Sequence, residues 1–453
     1  MDANPRDVPP PPLDGSLEFD QERREAAAAD FGHVVHRVPE AVLLPGSDDD
    51  VAATIRWAAQ RGRGFAPQGQ RHAVFGRSQV QDGIVADMSA RNSIGSIRDD
   101  RVEVDAGVKW SEVLAATLPE RRTPPVLTEY LELSVGGTIV VGGVGGTTSR
   151  YGLQSDTVLE MDVVTGEGTI VTCSPEQNAD LFDAMRAGFG QAGVITRATL
   201  ALVPAPESVR RILLFYPDLA TMLTDARLLS ADAERFDVVQ GAVMPPPGGG
   251  LAYRLDVAKY FTGDAPADED LLAGLSDDPA KRQPDTLSYF DYLNRLSMLE
   301  KLLRKNGQWF HPHPWLTTFI GDSEAEAVVG AELDRLDPPV DLGQFGQVVL
   351  SPIRTGAIDT PLLRLPADEL CHAFNLVRVP TTDDADNAQR LVAANKAMYE
   401  RVKAAGGVLY PVSAFPLSKD EWREHFGPVY DQLAAAKRKY DPDEVLTPGY
   451  GIF

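Results

Sequence analysis

The sequence predicts a two-domain α+β protein, and three observations support this fold class. The chain has 453 residues, enough for about two or three domains, each with its own core. Strand and helix patterns alternate from Val42 to a group of prolines near residue 205. After residue 206, strand candidates flank the run PPPGGG, which predicts an exposed hairpin tip.

The elements of the first part are predicted in chain order. Residues 1–29 are expected to be a disordered arm, because five prolines fall within the first fifteen residues. The run VLLP, which starts at Val42, predicts a short buried strand. Ser47 and the three aspartates after it predict the N-cap and first turn of a helix that Gly62 ends. Strands at GIVADM and RVEVDAG, and a helix over residues 111–117, continue the pattern.

The second part has a different character. FDVVQGAVM and LAYRLDVAKYF predict two strands on either side of the hairpin tip. A helix is predicted from Asp384 to Ala405, with Gly406 and Gly407 ending it. The segment from residue 421 predicts a helix, a turn and an apolar tail. A tail so apolar is expected to dock against the rest of the protein.

The charge and composition exclude several classes of partner. The chain has 43 Lys and Arg against 66 Asp and Glu, a net charge of −23. Such a surface repels phosphate backbones and anionic lipid, so we expect no nucleic-acid partner and no membrane partner. Two cysteines, Cys173 and Cys371, do not make a disulfide framework. The first residues lack the basic and apolar regions of a secretory signal, so a cytoplasmic, bacterial-type protein is expected.

Glycines concentrate in two segments, residues 61–79 and 134–152. Glycine lets backbone N–H groups approach a ligand closely and form an anion-binding nest, which is one way to hold a pyrophosphate. Neither segment contains GxGxxG between a strand and a helix, so the Rossmann fingerprint is missing. Two such segments in one α/β region favour a dinucleotide. His72 lies within the first, where an imidazole nitrogen could serve as a covalent attachment point.

A collinear set of motifs identifies a family resemblance. The set comprises PEAVLLPGSDDDVAATIRWA, HAVFG, LTEYLELSVGGT, YGLQSDTVLEMDVVTG, GFGQAGVITRATLALVP, LDVAKYF, HPHPWL, DEWREHFG and YDPDEVLTPGYGIF. Together they resemble the FAD-linked oxidases of the vanillyl-alcohol-oxidase type, and most of all the cytokinin dehydrogenases. The resemblance implies a PCMH-type FAD-binding domain, residues 30–205 plus 409–453. It also implies an antiparallel-sheet substrate (cap) domain, residues 206–408, with the substrate pocket between the two.

The resemblance implies FAD as cofactor, covalently bound through His72, whose position matches the histidine of the family's GHS motif. Such a bond would tune the flavin toward hydride acceptance. Arg71 and Ala73 replace the glycine and serine of that motif, and Tyr450 replaces a glutamine near the flavin edge. The other implied cofactor-binding positions are Gly69, Gln70, Gly76, Arg77, Gly137, Thr138, Gly142, Gly143, Ser149 and Val194.

The resemblance also implies the substrate side of the site. Glu129 falls where cytokinin dehydrogenases have an aspartate that takes the proton of the substrate amine. The implied pocket positions are Trp315, Gln240, Val412 and Ser413. Cofactor positions are mostly retained while several pocket positions differ, which favours the same flavin with a different substrate.

The expected reaction is hydride transfer from a small-molecule CH–NH donor to flavin N5, with oxygen or a quinone-type compound as electron acceptor. Two alternatives stay open. One is oxidation of an alcohol CH–OH on a sugar or a secondary metabolite, and the other is a flavin-binding protein without turnover.

No metal site is expected. His311 and His313 lack further ligands at zinc spacing and are interpreted as pocket or packing residues. Cys371 and His372 are adjacent in the chain and are not expected to act as a nucleophilic pair.

Overall fold

The computed structural model describes residues 8–246 and 248–453, which form four β-sheets with helices packed against them. The strands are β1 (Ser16–Glu18), β2 (Ala41–Leu44), β3 (Phe65–Gln68), β4 (Ile84–Asp87), β5 (Ile94–Ile97), β6 (Arg101–Asp105), β7 (Arg122–Thr123), β8 (Val158–Val164), β9 (Ile170–Cys173), β10 (Val194–Ala201), β11 (Val203–Pro204), β12 (Ser208–Tyr216), β13 (Val238–Met244), β14 (Ala252–Phe261), β15 (Gln283–Ser288), β16 (Leu316–Gly321), β17 (Gln347–Arg354), β18 (Leu370–Val377) and β19 (Val408–Leu409). The helices are α1 (Gln21–Ala27), α2 (Asp48–Gln60), α3 (Trp110–Thr117), α4 (Val135–Ile139), α5 (Thr148–Tyr151), α6 (Ala179–Met185), α7 (Leu219–Ala231), α8 (Asp268–Leu271), α9 (Tyr289–Leu293), α10 (Ser297–Lys305), α11 (Asp322–Leu333), α12 (Pro338–Asp341), α13 (Ala385–Ala404), α14 (Lys419–Phe426) and α15 (Tyr430–Tyr440).

The expected disordered arm is wrong for much of its length. β1 pairs antiparallel with β2, and α1 follows it with Asp20 as its N-cap. The Asp50 carboxylate accepts hydrogen bonds of 2.8 Å from the backbone N–H groups of Asp14, Gly15 and Gly46. These bonds hold the proline-rich segment against the start of α2. The first seven residues of the predicted arm lie outside the described residues.

The predicted helix after Ser47 is confirmed as α2. The Ser47 hydroxyl accepts a hydrogen bond from the Asp50 N–H at 3.3 Å, and Val51 and Ile55 are buried beneath the helix. α3 likewise begins within one residue of the predicted start and ends at the predicted residue. The helix predicted from Asp384 is confirmed as α13, with Asp384 as its N-cap.

The first part of the chain forms two larger sheets of different kinds. In the four-stranded sheet, order β1-β2-β4-β3, β4 runs parallel to both β2 and β3. In the five-stranded sheet, order β5-β6-β10-β8-β9, every pair is antiparallel. Strands and helices alternate in the chain as predicted. Of these two sheets, only the four-stranded sheet contains parallel pairs.

The second part is built on an eight-stranded sheet of order β15-β12-β14-β13-β17-β18-β16-β19. All its pairs are antiparallel, which confirms the predicted sheet type. β13 and β14 pair along their length, so the predicted hairpin is confirmed. Helices α7, α11 and α13 pack on this sheet. No helix within the described ranges is long and apolar enough to cross a bilayer.

The apolar C-terminal segment packs against the first part of the chain. The Phe65 N–H donates to the Val445 carbonyl, and the Thr447 N–H donates to the Phe65 carbonyl, both at 2.8 Å. α15 packs on α6 as well. The predicted docking of the tail is therefore confirmed, whereas the domain boundaries at residues 205 and 409 stay a prediction.

Candidate active site

A cavity of about 680 Å³ lies between the first part of the chain and the eight-stranded sheet. Its walls come from both glycine-rich segments, from strands β12 to β14 and β16 to β18, and from the C-terminal tail. Its size falls within the range of about 300–1,000 Å³ that is typical of small-molecule sites.

Most of the predicted site residues line this cavity, although they are scattered through the sequence. They are Gly69, Gln70, Arg71, His72, Ala73, Arg77, Glu129, Gly137, Thr138, Gly143, Ser149, Val194, Gln240, Trp315, Val412 and Tyr450. Their individual roles stay predictions.

Three predicted residues, Gly76, Gly142 and Ser413, do not line the cavity. The Gly76 N–H donates to the Asp30 carboxylate at 2.6 Å, and its carbonyl accepts from Arg37 at 2.9 Å. Gly142 has φ +100° and forms a turn whose carbonyl accepts from the Ser155 N–H. The Ser413 hydroxyl is buried and bonded to the Thr317 backbone at 2.9 and 3.0 Å. These three residues therefore lie behind the residues that line the cavity.

The first glycine-rich segment fits a pyrophosphate. The backbone N–H groups of residues 69–73 make no hydrogen bond to any described residue, although the segment lines the cavity. Successive free N–H groups of this kind form an anion nest. A Cβ on Gly69 would lie 1.9 Å from the Ser134 hydroxyl, so this position requires glycine. The residues present therefore fit a dinucleotide such as FAD.

Arg71 occupies an unusual backbone conformation at the start of the histidine motif. Its φ is +55°, a value that glycine adopts without strain and that costs other residues about 1 kcal/mol. Its guanidinium donates to the Ala26 carbonyl at 2.7 Å, and its carbonyl accepts from the Phe31 N–H at 2.8 Å. The N-terminal segment thus holds this turn without glycine.

His72 lies between two aromatic rings on the cavity wall. Its ring stacks on Phe31 with centroids 4.1 Å apart and on Tyr130 at 4.9 Å. Burial lowers the pKa of His72 to about 3, and electrostatic interactions with the neighbouring His313 and Arg304 side chains act in the same direction. The imidazole is therefore neutral at pH 7, with a nitrogen lone pair available for bonding.

His313 extends the same aromatic stack. Its ring lies on the other side of Phe31, with centroids 4.2 Å apart, and burial lowers its pKa to about 3. The His311 Nδ1 lies 3.0 Å from the Pro380 carbonyl. No group of potential metal ligands occurs in the described part of the chain, so the pocket and packing interpretation fits both histidines.

Glu129 lies in the loop between β7 and α4 and forms an ion pair with Arg295. Both residues line the cavity, and the Glu129 side chain is the more exposed of the two, at 31% against 12% for Arg295. Arg295 also donates to the Tyr292 carbonyl at 2.9 Å, with its guanidinium 4.4 Å from the Tyr292 ring centroid. The pair holds a charged carboxylate at a fixed place on the cavity wall.

The cavity contains further charged residues that the sequence analysis did not identify. Arg211 on β12 makes a two-point ion pair with Asp256 on β14, and Arg254 lies two residues before Asp256 on the same face. The signal was present in LAYRLDVAKYF, where an arginine and an aspartate occupy alternate positions of an apolar strand. Arg295 had no comparable local signal.

The C-terminal tail contributes Thr447 and Tyr450 to the cavity. Tyr450 stacks on Phe189 with centroids 4.9 Å apart, and burial raises its pKa to about 12. The buried Arg77 donates to the Tyr450 carbonyl at 3.3 Å and to the Phe415 carbonyl at 2.9 Å. This arginine joins the first glycine-rich segment to the tail.

The cysteine–histidine neighbours do not form a catalytic pair. Cys371 and His372 lie on β18 rather than on a helix, and adjacent strand residues point to opposite faces. His372 Nε2 lies 2.8 Å from the Asp322 carboxylate, and burial raises the pKa of the Cys371 thiol to about 12.

Comparisons with known proteins show the family of the chain. Residues 39–174 match the family model described as "FAD binding domain", and residues 245–453 match "Cytokinin dehydrogenase 1, FAD and cytokinin binding". An uncharacterized oxidoreductase, ORF5 in the fasciation locus of Rhodococcoides fascians, is 39% identical over 97% of this chain and 99% of its own length. Cytokinin dehydrogenase 10 of Oryza sativa subsp. japonica is 34% identical over 96% of this chain and 88% of its length.

The fold also matches a solved structure. The crystal structure of 6-hydroxy-D-nicotine oxidase from Arthrobacter nicotinovorans superposes with a TM-score of 0.76, at 21% identity, over 98% of this chain and 99% of that one. The match confirms the predicted two-domain FAD-binding architecture. The chain therefore belongs to the family of FAD-dependent oxidoreductases that includes the cytokinin dehydrogenases.

Proposed function

We propose that the protein oxidises a small-molecule secondary amine at a CH–NH bond. The observation that carries this proposal is the carboxylate of Glu129, fixed by Arg295 on the wall of the cavity that His72 also lines. A charged carboxylate in a flavoenzyme cavity is suited to accept a proton from the substrate.

Bound FAD would supply the two-electron redox chemistry, with oxygen or a quinone-type compound as the final electron acceptor. The free N–H groups of residues 69–73 would bind its pyrophosphate. His72 would form the covalent bond to its ring system, a role favoured by a neutral imidazole without a hydrogen bond to any described residue. These residues fix the cofactor relative to Glu129.

Glu129 receives the proton in this scheme. The substrate C–H bond breaks and its electron pair leaves as hydride, while the N–H proton passes to the carboxylate and a C=N bond forms. In total, the substrate loses one hydride, which carries two electrons, and one proton. The proton converts the Glu129 carboxylate to a carboxylic acid. Arg295 positions the carboxylate through their ion pair.

The test is anaerobic reduction of the flavin by substrate. Glu129→Gln should slow bleaching of the flavin absorbance by about 10²- to 10⁴-fold, because the amide cannot accept the proton. Glu132→Gln is the matched control, since Glu132 lies three residues further on, pairs with Lys109 at 2.9 Å and does not line the cavity.

A panel of secondary amines and alcohols should accompany these variants. Reduction by amines supports the proposal, and reduction by alcohols alone would replace it with CH–OH oxidation. Flavin that no member reduces would favour a binding protein without turnover. An unchanged rate in Glu129→Gln would remove Glu129 from the mechanism.

A further inference from the structure

The part of the eight-stranded sheet that lines the cavity carries two arginines, Arg211 and Arg254, and one carboxylate, Asp256. Outside the sheet, Arg295 and the carboxylates of Glu129 and Glu300 also line the cavity. Arg295 pairs with Glu129, and Arg211 pairs with Asp256 through two contacts. Arg254 is left without a carboxylate partner among the described residues.

The Arg254 guanidinium has few hydrogen-bond partners among the described residues. Arg254 is half-buried near the start of β14, where it lies opposite Phe215 on one neighbouring strand and Ala242 on the other. Its Nε is buried without a hydrogen bond, and Nη1 lies 4.0 Å from the Met244 sulfur. Because a partly buried cation loses hydration, an arginine without a carboxylate partner is expected where a ligand supplies the missing charge.

A second polar group lies further along the same row of the sheet. Ala242 pairs with Val349 on β17, and Val349 pairs with Asn375 on β18. The side-chain oxygen of Asn375 is buried without a partner, and Asn375 also lines the cavity. Arg254 and Asn375 therefore lie in one row across the sheet, with Ala242 and Val349 between them.

The position of Arg254 relative to Glu129 sets a scale for the ligand. A Cβ on Gly146 would lie 3.0 Å from Val238 and 3.6 Å from a carboxylate oxygen of Glu129. Glu129 therefore lies near Val238, which pairs with Ala258 on β14. Arg254 lies four positions before Ala258, a backbone distance of about 13 Å along the strand. A ligand that contacts both side chains would therefore carry its charged group apart from the oxidised carbon.

We propose that the substrate carries an anionic group, a carboxylate or a phosphate, which binds Arg254 while its CH–NH bond lies at Glu129. This inference rests on the proposed function and defines its substrate class. Arginine suits this task because its planar guanidinium donates two parallel hydrogen bonds to a carboxylate or phosphate.

Three ligands of one scaffold test the proposal on the FAD-loaded protein: N-benzylaniline, 4-(benzylamino)benzoate and 4-(benzylamino)phenyl phosphate. Each has the same CH–NH bond, and the first is uncharged. Under anaerobic conditions, titration calorimetry should show at least one anionic ligand binding about 10- to 100-fold more tightly than N-benzylaniline. The two anionic ligands distinguish a carboxylate site from a phosphate site.

Arg254→Gln should abolish this preference, and Arg254→Lys should retain part of it because the charge remains. Arg210→Gln is the matched control, since Arg210 lies on β12 outside the cavity and pairs with Asp268. It should keep the full preference. Since Arg254 has no carboxylate partner, Arg254→Gln should unfold at no lower temperature than the unmodified protein.

The outcomes separate the two proposals. Equal binding of all three ligands, or an equal loss for all three in Arg254→Gln, would overturn the anion site. Flavin reduction by these ligands is read separately. Tight anionic binding without reduction would support the anion site and contradict amine oxidation, whereas reduction without an anionic preference would do the reverse.

Discussion

Arg295 shows how one buried side chain sets the state of another. Burial alone would lower the pKa of Arg295, but the negative charge of Glu129, the phenol of Tyr292 and the charge of Asp256 raise it well above its ordinary value. Arg295 is therefore cationic at every pH at which the protein is folded. The carboxylate of Glu129 has a permanent counter-charge, and its position depends on a residue 166 positions away in the chain.

The covalent bond proposed at His72 can be tested with a variant. His72→Ala should leave a protein that binds FAD without a covalent bond, because the N–H nest of residues 69–73 does not depend on the imidazole. After acid precipitation, the yellow colour should stay with the unmodified protein and pass to the supernatant with the variant. Colour released from both proteins would contradict the covalent bond at His72.

The sequence identified individual site residues where a local motif marked them. His72 and Glu129 stand in the short motifs HAVFG and LTEYL, and both line the cavity. Arg295 and Arg254 come together with them through long-range packing, which no spacing in the sequence reveals. Ser413 shows the opposite limit. Its position in the chain matches a pocket residue of the family, but its hydroxyl bonds to the backbone of Thr317 and does not line the cavity.

At the scale of elements, the N-terminal strand depends on a single carboxylate. Asp50 is 3% exposed and accepts three backbone hydrogen bonds, two of them from residues more than 30 positions earlier. Burial favours its neutral form, but the hydrogen bonds from Asp14, Gly15, Gly46 and Ser47 outweigh burial and lower its pKa.

Asp50→Asn should therefore destabilise the protein by about 1–3 kcal/mol, because the amide offers one acceptor oxygen to three donors. The contribution also depends on pH. It is fully present above the ordinary aspartate value of 3.8 and is lost as the pH falls through the lower folded value. Urea unfolding measured at pH 7 and at pH values below 3.8 should show the difference from the unmodified protein shrinking as the pH falls through the acid range.

Asp49→Asn is the control, since Asp49 is the exposed neighbour in the same helical turn. It should change the unfolding midpoint little. Equal midpoints for the Asp49 and Asp50 variants would show that these hydrogen bonds do not stabilise the N-terminal strand.

Secondary structure was predicted well where a pattern was local and poorly where pairing was distant. The caps Ser47 and Asp384 located α2 and α13 to within a residue. The direction of strand pairing was not encoded in such patterns, so the antiparallel five-stranded sheet was not foreseen. The N-terminal strand was missed because it forms by pairing with the distant β2, where Ser16 lies opposite Leu44 and Glu18 opposite Val42.

At the scale of the whole molecule, a buried ion pair fixes the tail that closes the cavity. Lys437 Nζ lies 2.6 Å from the Asp441 carboxylate and donates to the Leu446 carbonyl at 3.2 Å. The Asp441 carboxylate also accepts from the N–H groups of Val445 and Leu446 at 2.9 Å. Burial lowers the pKa of Lys437, and the charge of Asp441 opposes that effect. The turn before Thr447 and Tyr450 is built on this pair.

Asp441→Asn should destabilise the protein by about 3–5 kcal/mol, because it leaves the buried Lys437 without its counter-charge. We also expect the purified variant to contain less FAD, since the tail residues would no longer be held at the cavity. Thermal unfolding and the ratio of flavin to protein absorbance measure the two effects. Asp443→Asn, at an exposed position two residues away, should change neither. If the Asp441→Asn variant is clearly destabilised but keeps its full flavin content, the tail is not needed to retain the cofactor.

The contact of Arg77 with Tyr450 also limits when the flavin can be bound stably during biosynthesis. These residues are 373 positions apart, yet both line the cavity. A nascent chain that has emerged from the ribosome only as far as the first glycine-rich segment has one wall of the cavity and lacks the other. Stable capture of the flavin must therefore wait until translation has passed residue 450.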